Sequence, residues 1–86
     1  MDRATGRVSE TDPDTLLEEI VSKVLLIDRE RISDSLRRKD FEPWDSLAHL
    51  VLISEIENAF GVLFEDEEIV DIWTVGDLRR VLKAKL

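Results

Sequence analysis

Trp44-Asp45-Ser46-Leu47-Ala48-His49-Leu50-Val51-Leu52-Ile53-Ser54-Glu55-Ile56-Glu57-Asn58-Ala59-Phe60-Gly61 is the stretch on which the fold turns. Asp45-Ser46 is helix-capping vocabulary, since a carboxylate at the N-cap accepts an N–H that the first turn leaves unpaired. Gly61 is a stop signal, because glycine enters the left-handed conformation that ends helices without a Cβ penalty. The spacing predicts a helix from about Ser46 to Phe60 with two apolar stripes. Leu52, Ile53, Ile56, Ala59 and Phe60 make the natural core face, while Leu47, Leu50 and Val51 form a second stripe beside Ser46. A single amphipathic helix needs only one. The second is either core, if the bundle wraps widely around this helix, or an exposed patch that marks a docking site.

Working outward, residues 1–11 are polar and aperiodic and read as a disordered lead-in, with one domain over 12–86. Asp12-Pro13 starts a first helix, with Asp12 as N-cap and Pro13 where a missing N–H costs nothing. Leu16, Leu17, Ile20, Val21, Val24 and Leu25 keep helical spacing, and the helix is expected to end near Asp28. A long connection to Asp45 follows, pinned by Ile32, Leu36, Phe41 and Trp44. Loops of that length in compact domains tend to be functional. Beyond Gly61, Asp66-Glu67-Glu68 opens a short third helix with Ile69 and Ile72 facing inward. Thr74 with Asp77 forms a shortened capping box for a fourth, whose inner stripe is Val75, Leu78, Val81 and Leu82. The fold class is all-α, a four-helix bundle.

Composition narrows the function. The 86 residues carry a formal charge of −8, and Asp40 to Leu78 holds eleven acids without one Lys or Arg. Nucleic acid is a poor partner for such a surface; basic protein surfaces are good ones. With no cysteine there is neither a disulfide framework nor a thiolate metal site. No apolar run follows Met1 as in a signal peptide, and none reaches the ~20 residues of a membrane span. A soluble, cytoplasmic monomer is expected.

Catalytic chemistry has little to stand on. His49 lies three residues after Ser46, on a neighbouring helix face. No glycine-rich turn or oxyanion hole accompanies the pair, and His49 is expected to face the interior or its edge. Glu65-Asp66-Glu67-Glu68 lacks the glycine and alternation of a calcium loop, so no metal site is assigned. Arg37-Arg38-Lys39 can meet a phosphate or simply stay solvated.

In fixed register these pieces resemble the acyl carrier proteins. Asp45-Ser46-Leu47 is similar to their attachment motif, and Ile56-Glu57 with Phe60-Gly61 to the end of their second helix. Phe64-Glu65-Asp66-Glu67-Glu68-Ile69 and Thr74-Val75-Gly76-Asp77-Leu78 look like the starts of their third and fourth helices. The resemblance runs without gaps from about Asp45 to Leu82, and implies a carrier bundle rather than an enzyme. It implies that a phosphopantetheinyl transferase attaches the 4'-phosphopantetheine of coenzyme A to Ser46, with Asp45 as the flanking acid it recognises. The arm then brings the thiol that a cysteine-free chain lacks. Acyl-loading and acyl-processing enzymes would dock on Leu47, Leu50, Val51 and Ile72. Ile53, Ile56, Phe64, Ile69 and Leu78 are candidates to line a space for a short acyl chain, or are plain core. Val51, Ala48 and Asn58 stand where carriers of fatty-acid synthesis often have acids, which implies partners that grip by apolar contact. Trp-Asp-Ser-Leu-Ala-His-Leu looks more like stand-alone carriers of specialised bacterial pathways in lipid or polyketide biosynthesis. An aminoacyl or peptidyl carrier, or an unmodified helical interaction module, is the alternative.

Overall fold

The computed structural model describes residues 12–86; the lead-in expected over residues 1–11 lies outside them. Four helices follow along the described chain: α1, Pro13–Leu25; α2, Ser46–Phe60; α3, Asp66–Val70; and α4, Val75–Lys85. Two short 3-10 turns, Arg29–Arg31 and Arg38–Asp40, lie in the connection between α1 and α2. Among the described residues there is no strand, only an isolated antiparallel bridge between Arg37 and Thr74. The fold is the all-α, acyl-carrier-like bundle that the sequence implies. None of these helices is long and apolar enough to cross a membrane.

Leu17, Val21 and Leu25 of α1 meet Leu52 and Ile56 of α2 and Val75, Leu78 and Leu82 of α4 in one core, each at most 1% exposed. On α2 the expected core stripe holds through Ile56; Ala59 is exposed and Phe60 half-buried.

α1 ends earlier than expected, at Leu25 and not near Asp28. Leu26 turns left-handed (φ 55°, ψ 49°) and its N–H donates to the Ser22 carbonyl. The Ser22 hydroxyl then donates to the Ile27 carbonyl at 2.7 Å. This turn throws Leu26 into solvent, 89% exposed, and swings Ile27 into the core at 5%. Burying an isoleucine stabilises by about 1.5–3 kcal/mol, which offsets the roughly 1–2 kcal/mol that a left-handed non-glycine residue costs. At the other end, Asp12 accepts the Leu16 N–H through its backbone carbonyl at 3.0 Å. Its carboxylate accepts the Thr15 hydroxyl at 3.3 Å and caps no backbone N–H.

The long connection is laced to the start of α4. Trp73 O accepts the Arg38 N–H at 2.8 Å, Leu36 O the Val75 N–H at 3.1 Å, and Asp34 O the Gly76 N–H at 3.0 Å. These bonds satisfy donors that the first turn of a helix leaves unpaired. Gly76 permits the approach, since a Cβ there would stand 3.1 Å from both Cβ and O of Asp34. Trp44 is buried, and Ile32, Leu36 and Phe41 pack partly against the core, as expected of pins. Arg79 clamps the same corner: its guanidinium donates to Asp14 at 2.6 Å and Asp34 at 2.9 Å and lies 3.5 Å from Glu18. Burial opposes the Arg79 charge, but the bonds to Asp14 and Asp34 more than offset it and raise its pKa. The hydrogen bonds from Arg79 and Lys83 hold the Asp14 carboxyl below its usual range.

Both later helices open on capping boxes, Glu65 with Glu68 on α3 and Thr74 with Asp77 on α4. A 2.8 Å ion pair from Lys85 to Glu68 ties the end of α4 back to α3.

Candidate functional site

Ser46 is the first residue of α2, and its side chain is exposed. Asp45 fixes the turn that presents it. One carboxylate oxygen accepts the Ala48 N–H at 2.8 Å, and the Asp45 carbonyl accepts the His49 N–H at 2.8 Å. The N–H groups of Ser46 and Leu47 have no acceptor within the helix. The hydroxyl therefore stands at the positive end of a 15-residue helix dipole.

His49 is not a base for that hydroxyl. It is buried, 4% exposed, with both ring nitrogens engaged. Trp44 Nε1 donates to His49 Nδ1 at 3.0 Å. The indole nitrogen can only donate, so the imidazole proton sits on Nε2, which donates to the Ile69 carbonyl at 2.9 Å. Burial pushes the His49 pKa below the ordinary imidazole value; the Ile69 bond opposes this and the Arg38 charge adds to it. The relay Trp44–His49–Ile69 joins the connection, α2 and α3, and its three residues line the same groove as Ser46. Among the described residues, the Ser46 hydroxyl is exposed and the nearby imidazole is committed to Trp44 and Ile69.

The second stripe of α2 is an exposed patch: Leu47, Leu50 and Val51 are 72%, 57% and 43% exposed. Ile72, expected beside them, is wholly buried and cannot touch a partner. It lies past the end of α3, where Asp71 (φ −90°, ψ 1°) turns the chain inward and the Ile72 N–H reaches the Ile69 carbonyl. Of the pocket candidates, Ile53, Ile56, Phe64 and Leu78 belong to the core cluster, while Ile69 is half-buried against it.

Ser46 also borders a groove of about 700 Å³, lined with it by Arg38, Lys39, Leu50, Val70 and Trp73. The Arg38 guanidinium lies over the Trp73 ring, 4.1 Å from its centroid. Arg37 turns away to Asp40 at 2.8 Å. The basic triplet was visible in the sequence, but its position beside Ser46 depends on how the loop docks, which no periodicity reports. Trp73 carried no signal of its own.

No protein-family model matches the chain. Curated relatives do, two acyl carrier proteins among them. An acyl carrier protein of Thermotoga maritima is 30% identical over 70 residues, covering 81% of this chain and 86% of the relative. The acyl carrier protein MbtL of a Mycobacterium species (strain MCS) is 33% identical over 70 residues, covering 81% and 79%. Joined to a bundle of this form with a serine raised at the start of α2, that likeness places the chain in the acyl carrier protein family, among carriers rather than enzymes.

Proposed function

We propose that this protein tethers biosynthetic acyl intermediates as thioesters on a 4'-phosphopantetheine arm esterified to Ser46, and presents them to partner enzymes. The observation that carries the reading is the exposed hydroxyl at the first position of α2, held there by the Asp45 cap. In the attachment step Ser46 Oγ attacks the phosphorus that bears the pantetheine in coenzyme A. The Oγ–P bond forms, the P–O bond to adenosine 3',5'-bisphosphate breaks, and the serine proton passes to a base of the transferase or to solvent. The N–H groups of Ser46 and Leu47 would face the product phosphodiester, and a helix N-terminus favours an anion by about 0.3–1 kcal/mol. When attached, the arm supplies a thiol that takes an acyl group as a thioester.

The chain's own residues present the arm and choose who may approach. Leu47, Leu50 and Val51 offer partners an apolar contact next to the attachment point. Transferase and acyl-loading or acyl-processing enzymes with apolar or basic surfaces suit that patch and its acidic surroundings. Nucleic acid suits neither, and we assign the protein to the cytoplasm as a monomer. Ile53, Ile56, Phe64 and Leu78 are packed core, so a short acyl chain enters between them only if they part, with Ile69 at the margin. The test is to incubate the protein with coenzyme A, Mg²⁺ and a broad-specificity phosphopantetheinyl transferase and to measure intact mass. One arm is expected on the wild type and none on Ser46→Ala. A Ser46→Ala variant that gains the same mass removes the site assignment.

A further inference from the structure

The groove beside Ser46 has features that attachment alone does not need. Resting on the reading that Ser46 carries the arm, we propose that this groove is where the unloaded 4'-phosphopantetheine lies. Arg38 and Lys39 pair with its phosphodiester, while Trp73, Val70 and Leu50 hold its apolar segment.

Charge is the first argument. A phosphodiester on Ser46 adds an anion next to the Asp45 carboxylate, within a stretch from Asp40 to Leu78 that has no Lys or Arg. Cations must come from elsewhere in the fold, and the docked connection brings Arg38 and Lys39 to the groove wall. Neighbouring cations are already committed: Arg37 to Asp40, and Arg79 to Asp14 and Asp34. Among the described residues Arg38 and Lys39 enter no ion pair with an acid, so pairing with a phosphate breaks nothing. Arg38 is also pre-positioned, because stacking on the Trp73 ring at 4.1 Å holds a side chain that would otherwise sample many rotamers.

Shape and polarity supply the second argument. Leu50, Val70 and Trp73 are 57%, 60% and 50% exposed, an apolar floor left open beside a basic rim. An arm with a charged head, a geminal dimethyl group just beyond it and an amide-linked tail has the same order of polarity. The floor is braced, since the Trp44–His49–Ile69 relay ties together the segments that carry it. The arm therefore has a built resting place on the surface and need not enter the core.

The test uses mass-verified holo protein in nuclear magnetic resonance. The chain has two tryptophans, so the two indole N–H signals separate cleanly: Trp44 is buried and bonded to His49, and Trp73 faces the groove. On attachment the Trp73 indole signal should move more than that of Trp44. The geminal methyls should show Overhauser contacts to the Trp73 ring. Those contacts should weaken in Arg38→Gln, in Lys39→Gln and at high salt, which screens the exposed charges. Each modified variant is compared by mass and thermal melt, so unfolding is seen separately. Holo wild type with an unmoved Trp73 signal and no methyl contact overturns the groove while leaving attachment intact. Contacts that ignore salt and both variants overturn the phosphate pairing. A wild-type protein that never gains the arm overturns both readings.

Discussion

Replacing His49 with leucine tests the relay that holds the site together. The substitution puts an apolar side chain of similar bulk in a position that is 4% exposed, and removes the hydrogen-bonding and titrating ring. It strands the Trp44 indole N–H, which is 3.0 Å from His49 Nδ1, and the Ile69 carbonyl, 2.9 Å from Nε2. A buried polar group left without a partner costs about 1–3 kcal/mol. Leucine burial returns part of that, and water can reach Ile69, which is half-buried. A net loss of about 3 kcal/mol is expected, or a fall in melting temperature of roughly 12–24 °C for a domain this small. Urea denaturation at fixed pH, with the m-value checked for constancy, measures it. The wild type should carry a pH signature that the variant lacks. Because the folded state depresses the His49 pKa, the unfolded chain takes up a proton that the native protein refuses. Stability is then fully present above the unfolded value of about 6.5 and falls as pH drops below it toward the folded pKa, by at most about 1.4 kcal/mol per unit. A His49→Leu protein within about 0.5 kcal/mol of wild type, with the same slope below pH 6.5, refutes the relay.

Further outcomes follow from other residues. Val51→Glu should alter capture by partner enzymes while changing stability by less than about 0.5 kcal/mol, because Val51 is 43% exposed; a large drop in melting temperature contradicts its surface placement. Leu26→Gly should stabilise the protein by about 0.5–1 kcal/mol in urea denaturation, since glycine takes the left-handed turn at φ 55° without steric cost. Arg79→Ala should destabilise by about 1–3 kcal/mol, because Asp14, Glu18 and Asp34 would face one another without their shared cation. A salt titration should narrow that gap, and an unchanged stability would deny the clamp any role.

Much of the frame was legible because local chemistry dictates it. Pro13, Asp45 with Ser46, Gly61, and Thr74 with Asp77 mark helix boundaries through their own backbone needs, and the structure puts the ends there. Leu26 was not legible: its left-handed turn is held by Ile27 reaching the core, a tertiary gain with no turn residue to announce it. Ile72 carried two expectations: facing inward with Ile69, which its burial matches, and docking a partner, which the same burial rules out. The two conflict because Asp66–Val70 is only five residues long, too short for its pattern alone to fix the surface around its end. At the site, the position of Ser46 at a helix start and a second apolar stripe beside it followed from capping chemistry and helix spacing, which do not tell whether that stripe is core or surface. The pairing of Trp44 with His49 and the stacking of Arg38 on Trp73 depend on the docking of the long connection. Sequence spacing holds no record of that.

The most direct measurement is made on protein isolated from the cells that produce it. Trypsin should release residues 40–79 as one peptide, since no Lys or Arg lies between Lys39 and Arg79. That peptide holds three hydroxyl side chains, Ser46, Ser54 and Thr74, so fragmentation must choose among them. The account predicts a phosphopantetheine mass on Ser46 alone. The same mass on Ser54 or Thr74, or a peptide that is always bare, contradicts it.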